Sequence, residues 1–124
     1  MALDICAARN PEGELTDEDV QAFRDAKIKL WPGAFGDGVT SFGGGEYDTL
    51  VTIVTGSSLY KKWIPPETVR KMANLLNRYS ADQLVDIWNE AAGEDLSLEE
   101  DELASLQRFF DICAERGLGL VGFW

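Results

Sequence analysis

Residues 98–124 read LEEDELASLQRFFDICAERGLGLVGFW and contain, in one segment, a long helix, a helix stop and a strand. The apolar residues recur at helical spacing, and the core face that they predict consists of Leu103, Leu106, Phe109, Phe110 and Cys113. Gly117 fits the left-handed position that ends many helices. Leu118 to Trp124 then has the composition of a strand, which runs to the end of the chain.

Residues just before this segment and further upstream indicate the starts of three helices. Ser97 with Glu100 has the pattern of a capping box and predicts a helix over 98–116. Ser80 with Gln83 repeats that pattern, and Pro66 occupies the first helical turn, where proline is tolerated. The apolar faces expected for these two further helices are Val69, Met72, Ala73 and Leu76, and Leu84, Ile87, Trp88 and Ala91.

The N-terminal part begins with Leu3 to Ala7, which alternates in hydropathy and predicts a strand. Thr16 precedes three acidic residues and is a good N-cap, so we expect a helix from there. Its apolar spacing continues to Leu30, and Pro32-Gly33 follows as the stop.

Residues 32–46 hold six glycines and predict an irregular surface loop, the segment we expect to be most mobile. The next stretch, 47–55, carries two opposing signals. Its β-branched residues favour a strand, whereas its apolar spacing favours a helix that Gly56 ends. We predict the helix.

These elements predict an α+β fold, formed by one two-layer domain over residues 1–124. The N- and C-terminal strands are expected in one small sheet, covered by about four to five helices. Trp88 and Trp124 are expected in the core, since a terminal strand with aromatic residues gains stability when it is buried. The composition, 45% apolar and 27% charged, is that of a folded domain.

The charge is unevenly distributed along the chain. The formal net charge is −11, and residues 81–124 hold 11 acidic but only 2 basic side chains. Much of this acid lies between Glu90 and Glu102. Part of it suits the positive end of a helix dipole, and the remainder predicts a surface that attracts a basic partner.

Catalytic and metal chemistry have little support in the residues. The chain has no histidine, so the usual nucleophile–base arrangements lack their base and zinc sites lack an imidazole ligand. The glycine segment lacks the Gly-Lys-Ser/Thr ending of a phosphate-binding loop. Cys6 and Cys113 are expected to be reduced thiols, with a disulfide between them as the alternative. We therefore expect no enzyme, no cofactor and no metal.

The order of motifs in residues 65–124 carries a family resemblance. A helix opens after proline at 66–70, a capped helix begins at 80–84, and an acidic entry leads into a long helix that ends at 114–117. The chain then passes into a terminal strand with an aromatic end. This order resembles the YfbM-like family of small uncharacterised bacterial proteins, over about half of the chain. That family's histidine-bearing helix has no histidine here, so the resemblance implies the fold and no catalytic residues.

We expect an inhibitor or immunity-type protein that occludes a basic protein partner. One alternative is a phage or mobile-element inhibitor that mimics phosphates and blocks a nucleic-acid-handling defence complex. Another is a small carboxylate-dependent hydrolase that uses Asp37 and Asp48. The partner-binding residues predicted for the first function are Glu94, Asp95, Glu99, Glu100, Asp101, Glu102, Trp63 and Phe42.

The location and the excluded partners follow from the same composition. The first five residues lack the basic and apolar parts of a secretory signal, which predicts a cytoplasmic protein. No apolar run is long enough to span a membrane, and the net charge disfavours direct contact with nucleic acid.

Overall fold

The computed structural model describes residues 3–33, 36–92 and 98–124 of the chain. The described residues form an α+β domain of five α-helices and four strands that share one core. The helices are α1 (Asp17–Asp25), α2 (Asp48–Thr55), α3 (Pro66–Leu76), α4 (Ala81–Ala92) and α5 (Glu100–Arg116), with a short 3-10 helix at Gly44–Glu46. The strands are β1 (Asp4–Ala8), β2 (Ser41–Gly43), β3 (Trp63–Ile64) and β4 (Gly119–Phe123).

The sheet is antiparallel and has the order β2-β1-β4-β3. Ile5 on β1 lies opposite Phe42 on β2 and opposite Gly122 on β4. The first and last strands therefore pair with each other at the centre of the sheet, which confirms the expected joining of the two ends of the chain.

The long helix α5 supplies the centre of the core. Its buried residues include the predicted face, and Phe109 is fully enclosed. The ring of Phe109 lies 4.9 Å from that of Phe23 on α1 and 5.0 Å from that of Phe42 on β2. Helices α3 and α4 also pack on α5. One helix thus connects the sheet, the N-terminal helix and the central helical layer.

The capping predictions have mixed outcomes. The Ser80 amide donates to Gln83 Oε1 at 2.9 Å and the Gln83 amide donates to Ser80 Oγ at 3.2 Å, so this capping box is confirmed. Helix α5 instead begins at Glu100 after Glu99, which forms no side-chain cap. Ser97, the predicted capping residue, lies outside the described residues.

Helix α1 is shorter than predicted, because it ends at Asp25 and not at Leu30. Lys27 adopts a left-handed backbone with φ 55°, which breaks the helical path. The Leu30 amide then donates to the Gly38 carbonyl at 3.0 Å, so the chain after the helix is hydrogen-bonded to the glycine segment. Leu30 is buried as the spacing indicated, but it lies after the helix and not on it.

The predicted loop 32–46 is not one irregular segment, since it contains β2 and the 3-10 helix. Glycine is required at Gly43 by close packing: an added Cβ would lie 2.7 Å from Trp31 Cδ1 and 3.0 Å from Gly33 Cα. The prediction of a helix over 47–55 is confirmed, with Gly56 in the left-handed conformation at its end.

The core prediction for the tryptophans is half right. Trp88 is buried, as expected. Trp124 is 41% exposed and Phe123 is 51% exposed, and the Trp124 ring packs against Tyr60 and Lys62. No helix in the described part of the chain combines the length and the apolar character needed to cross a bilayer.

Candidate binding site

The predicted acidic surface begins where α4 and α5 both start. Glu99, Glu100 and Asp101 are exposed, and Glu102 is half-buried. Asp82, in the first turn of α4, lies close enough to Glu100 for a hydrogen bond and for charge repulsion. Both effects raise the pKa of Glu100 above its ordinary value. We call Asp82 and Glu99 to Glu102 the acidic face.

Two other predicted partner-binding residues, Glu94 and Asp95, lie outside the described residues. The structure therefore places four of the six predicted acidic residues. It adds Asp82 from α4, which stands seventeen or more positions away from them along the chain.

The acidic face has no internal neutralisation. Within residues 3–33, 36–92 and 98–124 there are two salt bridges, and both end on Asp19. The first turn of α5 still tolerates its three acidic residues because the helix dipole favours negative charge there. The negative charge of the face thus has no salt-bridge partner among the described residues and stays compatible with the helix.

A groove of about 540 Å³ lies beside the acidic face, between the segment after α1 and the first half of α5. Its size is that of a site for a small molecule or for a few side chains. Its walls carry charges of both signs together with an apolar part. The lining residues are Lys27, Lys29, Leu30, Trp31, Pro32, Glu99, Asp101, Glu102, Ala104, Ser105 and Arg108.

Two hydroxyl groups fix the walls of the groove to each other. The fully buried Tyr47 donates from its hydroxyl to Glu102 Oε2 at 3.0 Å and accepts from the Trp31 amide at 3.0 Å. Ser105 Oγ accepts from the Lys29 amide at 3.2 Å and from the Arg108 guanidinium at 3.0 Å. The segment carrying Lys29 and Trp31 is therefore held against α5 by direct hydrogen bonds.

Comparison of the chain with protein-family models, with curated proteins and with solved structures found no match. The site is therefore argued from its own geometry. The resemblance to the YfbM-like family stays a prediction.

The two predicted aromatic anchors do not form this site. Phe42 is wrong as an anchor, because its ring is fully buried between Tyr47 and Phe109. Trp63 is half-buried on β3, opposite Val121, and does not line the groove. The exposed aromatic side chain beside the acidic face is Trp31, which is 56% exposed.

Asp37 and Asp48, the carboxylates of the alternative hydrolase, accept hydrogen bonds from backbone amides. Asp37 accepts hydrogen bonds from the amides of Val39, Thr40 and Ser41, at 2.8, 2.8 and 3.1 Å. Burial alone would raise the pKa of Asp37, but these hydrogen bonds outweigh it and lower the pKa. Asp48 accepts from the Leu59 amide at 2.7 Å. Both groups order loops, and neither lines the groove.

Both cysteines are free thiols in the structure, as expected. Burial raises the pKa of the Cys6 thiol, and the nearby charges of Asp4 and Asp37 raise it further. Cys113 is fully buried on α5, and burial raises its pKa strongly. Neither thiol has the depressed pKa of an activated nucleophile. Among the described residues, no group of three or more Cys, Asp or Glu side chains is placed to hold a metal ion.

One buried charged cluster lies apart from the groove. Asp19 is fully buried and accepts from Arg9 at 2.6 and 2.7 Å and from Arg116 at 2.8 Å. Its Oδ2 also accepts from the Thr16 amide at 3.0 Å. Burial by itself would raise the pKa of Asp19, but these hydrogen bonds hold it far below its ordinary value. The cluster joins the end of β1, the start of α1 and the end of α5, which is a structural role.

Proposed function

We propose that the protein is a non-enzymatic acidic binding protein of the inhibitor or immunity type, which occludes a basic protein partner. The observation that supports the proposal most is the acidic face. Two helix starts place exposed carboxylates on one surface, and no basic side chain of the described residues forms a salt bridge with them.

Electrostatics favours this function over a passive surface. Like charges that lie together destabilise the folded chain, and Asp82 raises the pKa of Glu100 first through a hydrogen bond and then through its charge. A cationic partner relieves the repulsion and is steered toward the face, which speeds association. A chain with net charge −11 extends this attraction over the whole molecule.

The experiment uses two triple variants with the same change in net charge. The test variant carries Glu99→Gln, Glu100→Gln and Asp101→Asn, which neutralise the acidic face. The matched control carries Asp17→Asn, Glu18→Gln and Glu67→Gln, all exposed residues in the first turns of α1 and α3. Both variants exchange two glutamates and one aspartate, so net charge and helix-start chemistry change equally.

Each immobilised protein is exposed at low salt to native host lysate, and retained proteins are eluted by a salt gradient. We expect the wild type and the control variant to retain the same basic protein and the test variant to lose it. With the purified partner, association should slow steeply as salt rises. Equal retention by the two variants, or association that salt leaves unchanged, would contradict the proposal.

A competition experiment tests whether the surface of the partner that this protein covers is one that binds nucleic acid. Short duplex DNA is added to the purified complex at constant ionic strength. Release of the partner by DNA means that the acidic face covers a nucleic-acid-binding surface, as phosphate mimicry requires. Retention in the presence of DNA means that the occluded surface is of another kind, as expected for a general inhibitor.

A further inference from the structure

The groove beside the acidic face is lined by charged side chains of both signs. Lys27 and Lys29 line it from the segment after α1, whereas Glu99 and Asp101 line it from the start of α5 and Arg108 from the next turns of that helix. Within the described part of the chain, none of these lysines forms a salt bridge with these carboxylates. Charges of both signs around about 540 Å³ of space leave room for a ligand that carries both signs.

Trp31 adds an aromatic surface to the same groove. Its side chain is 56% exposed, although its backbone is fixed on both sides. The Trp31 amide donates to the Tyr47 hydroxyl at 3.0 Å, and the Trp31 carbonyl accepts from the Gly43 amide at 2.7 Å. An indole presented by a fixed backbone is suited to stack with a planar cation, because little conformational freedom is lost on binding.

We propose that the groove binds a zwitterionic peptide segment in which an arginine is followed by an acidic residue. The guanidinium stacks on Trp31 and faces the carboxylates of Glu99 and Asp101, while the acidic residue faces Lys27 and Lys29. Arginine fits better than lysine, since its planar group both stacks on an indole and pairs with carboxylates through parallel hydrogen bonds. We assign this segment to the basic partner, and in that assignment alone the inference rests on the proposed function.

The probe is the peptide acetyl-Arg-Glu-Arg-Glu-amide, which has no net charge. The net charge of −11 therefore does not draw it to the protein, and its binding reports the groove. Binding is followed by NMR through the indole N–H signals of the four tryptophans, with Trp31 assigned by Trp31→Phe. We expect a saturable shift of the Trp31 signal, and weaker binding of acetyl-Lys-Glu-Lys-Glu-amide.

Three variants locate the binding, and for them it is followed through the NMR signals of the peptide, because Trp31→Ala lacks the Trp31 indole. Trp31→Ala should weaken the arginine peptide about fivefold, the effect of one exposed cation–π contact. Lys29→Gln should weaken it about threefold, as expected for one exposed charge pair. It changes an exposed side chain only, so it keeps the test valid even if Trp31→Ala folds poorly. Trp124→Ala is the matched control, because Trp124 is 41% exposed but lies outside the groove.

The inference is overturned if the Trp31 signal does not move, if the two peptides bind equally, or if Trp124→Ala weakens binding as much as Trp31→Ala. These results differ from failure of the proposed function. A protein that retains its basic partner through the acidic face but ignores the neutral peptide keeps the proposed function and loses the groove. A protein that binds the neutral peptide through Trp31 but retains no basic partner keeps the groove inference and loses the proposed function.

Discussion

Asp19 is a fully buried carboxylate held by two arginines, and it connects three elements. We predict that Asp19→Asn lowers the free energy of unfolding by about 3 kcal/mol at pH 7, the usual cost of removing one partner from a buried ion pair. Urea unfolding measures the loss. Asp25→Asn, at an exposed position on the same helix, serves as the control and should leave stability nearly unchanged.

The same residue predicts a pH dependence of stability. The pKa of Asp19 is lower in the folded protein than in the unfolded chain, where it is near 4. Its contribution is therefore complete above pH 4 and is lost as the pH falls toward the folded-state pKa. The difference in stability between the wild type and Asp19→Asn should shrink steadily below pH 4. A difference that stays constant down to pH 2.5 would show that packing, and not charge, explains the effect.

Tyr47 links the two walls of the groove through one hydroxyl. Tyr47→Phe keeps the buried ring but leaves the Trp31 amide and Glu102 without this partner, so we expect a loss of about 1–3 kcal/mol in unfolding free energy. Trp31 should also become more mobile, which hydrogen exchange of the Trp31 amide detects. Tyr79→Phe, at an exposed tyrosine, is the control. Unchanged exchange at Trp31 would contradict the linking role.

At the scale of elements, the starts of α4 and α5 are coupled by Asp82 and Glu100. We predict that Asp82→Asn lowers the pKa of Glu100, because the hydrogen bond and the charge of Asp82 are its two largest causes of elevation. NMR titration of the glutamate carboxyl carbons measures the change. Asp86→Asn, on the same helix, is the control that should leave the pKa of Glu100 in place. If both variants give the same titration, the two helix starts are not coupled in this way.

The elements most readily predicted from the sequence are those whose signals are local. Helix α5 and its end at Gly117 follow from apolar spacing and one glycine, and the helix over 47–55 follows from spacing alone. The predicted end of helix α1 is wrong, because Lys27 takes a left-handed conformation. This conformation usually falls on glycine, and the sequence carries no signal for it at a lysine. The glycine-rich sequence around Phe42 predicts a loop surface, whereas β2 places this residue in the core.

The candidate site was only half predictable for the same reason. The acids of α5 are visible as a run in the sequence. The opposite wall is not, because Lys29 and Ser105 meet across 76 residues and only the fold brings them together. Trp31 precedes the glycine-rich segment in the sequence, but its exposure next to the acids depends on the hydrogen bonds that its backbone makes with the Gly43 amide and the Tyr47 hydroxyl. Non-local contacts of this kind carry no periodic or capping pattern.

For the whole molecule, the net charge of −11 predicts opposite effects of salt on folding and on association. Self-repulsion destabilises the compact chain, and the described residues offset it with only two salt bridges, both on a buried carboxylate that salt screens poorly. Moderate sodium chloride should therefore raise the midpoint of thermal unfolding while it slows association with a basic partner. The neutralised test variant should show a smaller gain in stability with salt than the wild type. If salt lowers the unfolding midpoint, attraction within the chain outweighs repulsion, and the acidic face is not the uncompensated surface that binding of a cation requires.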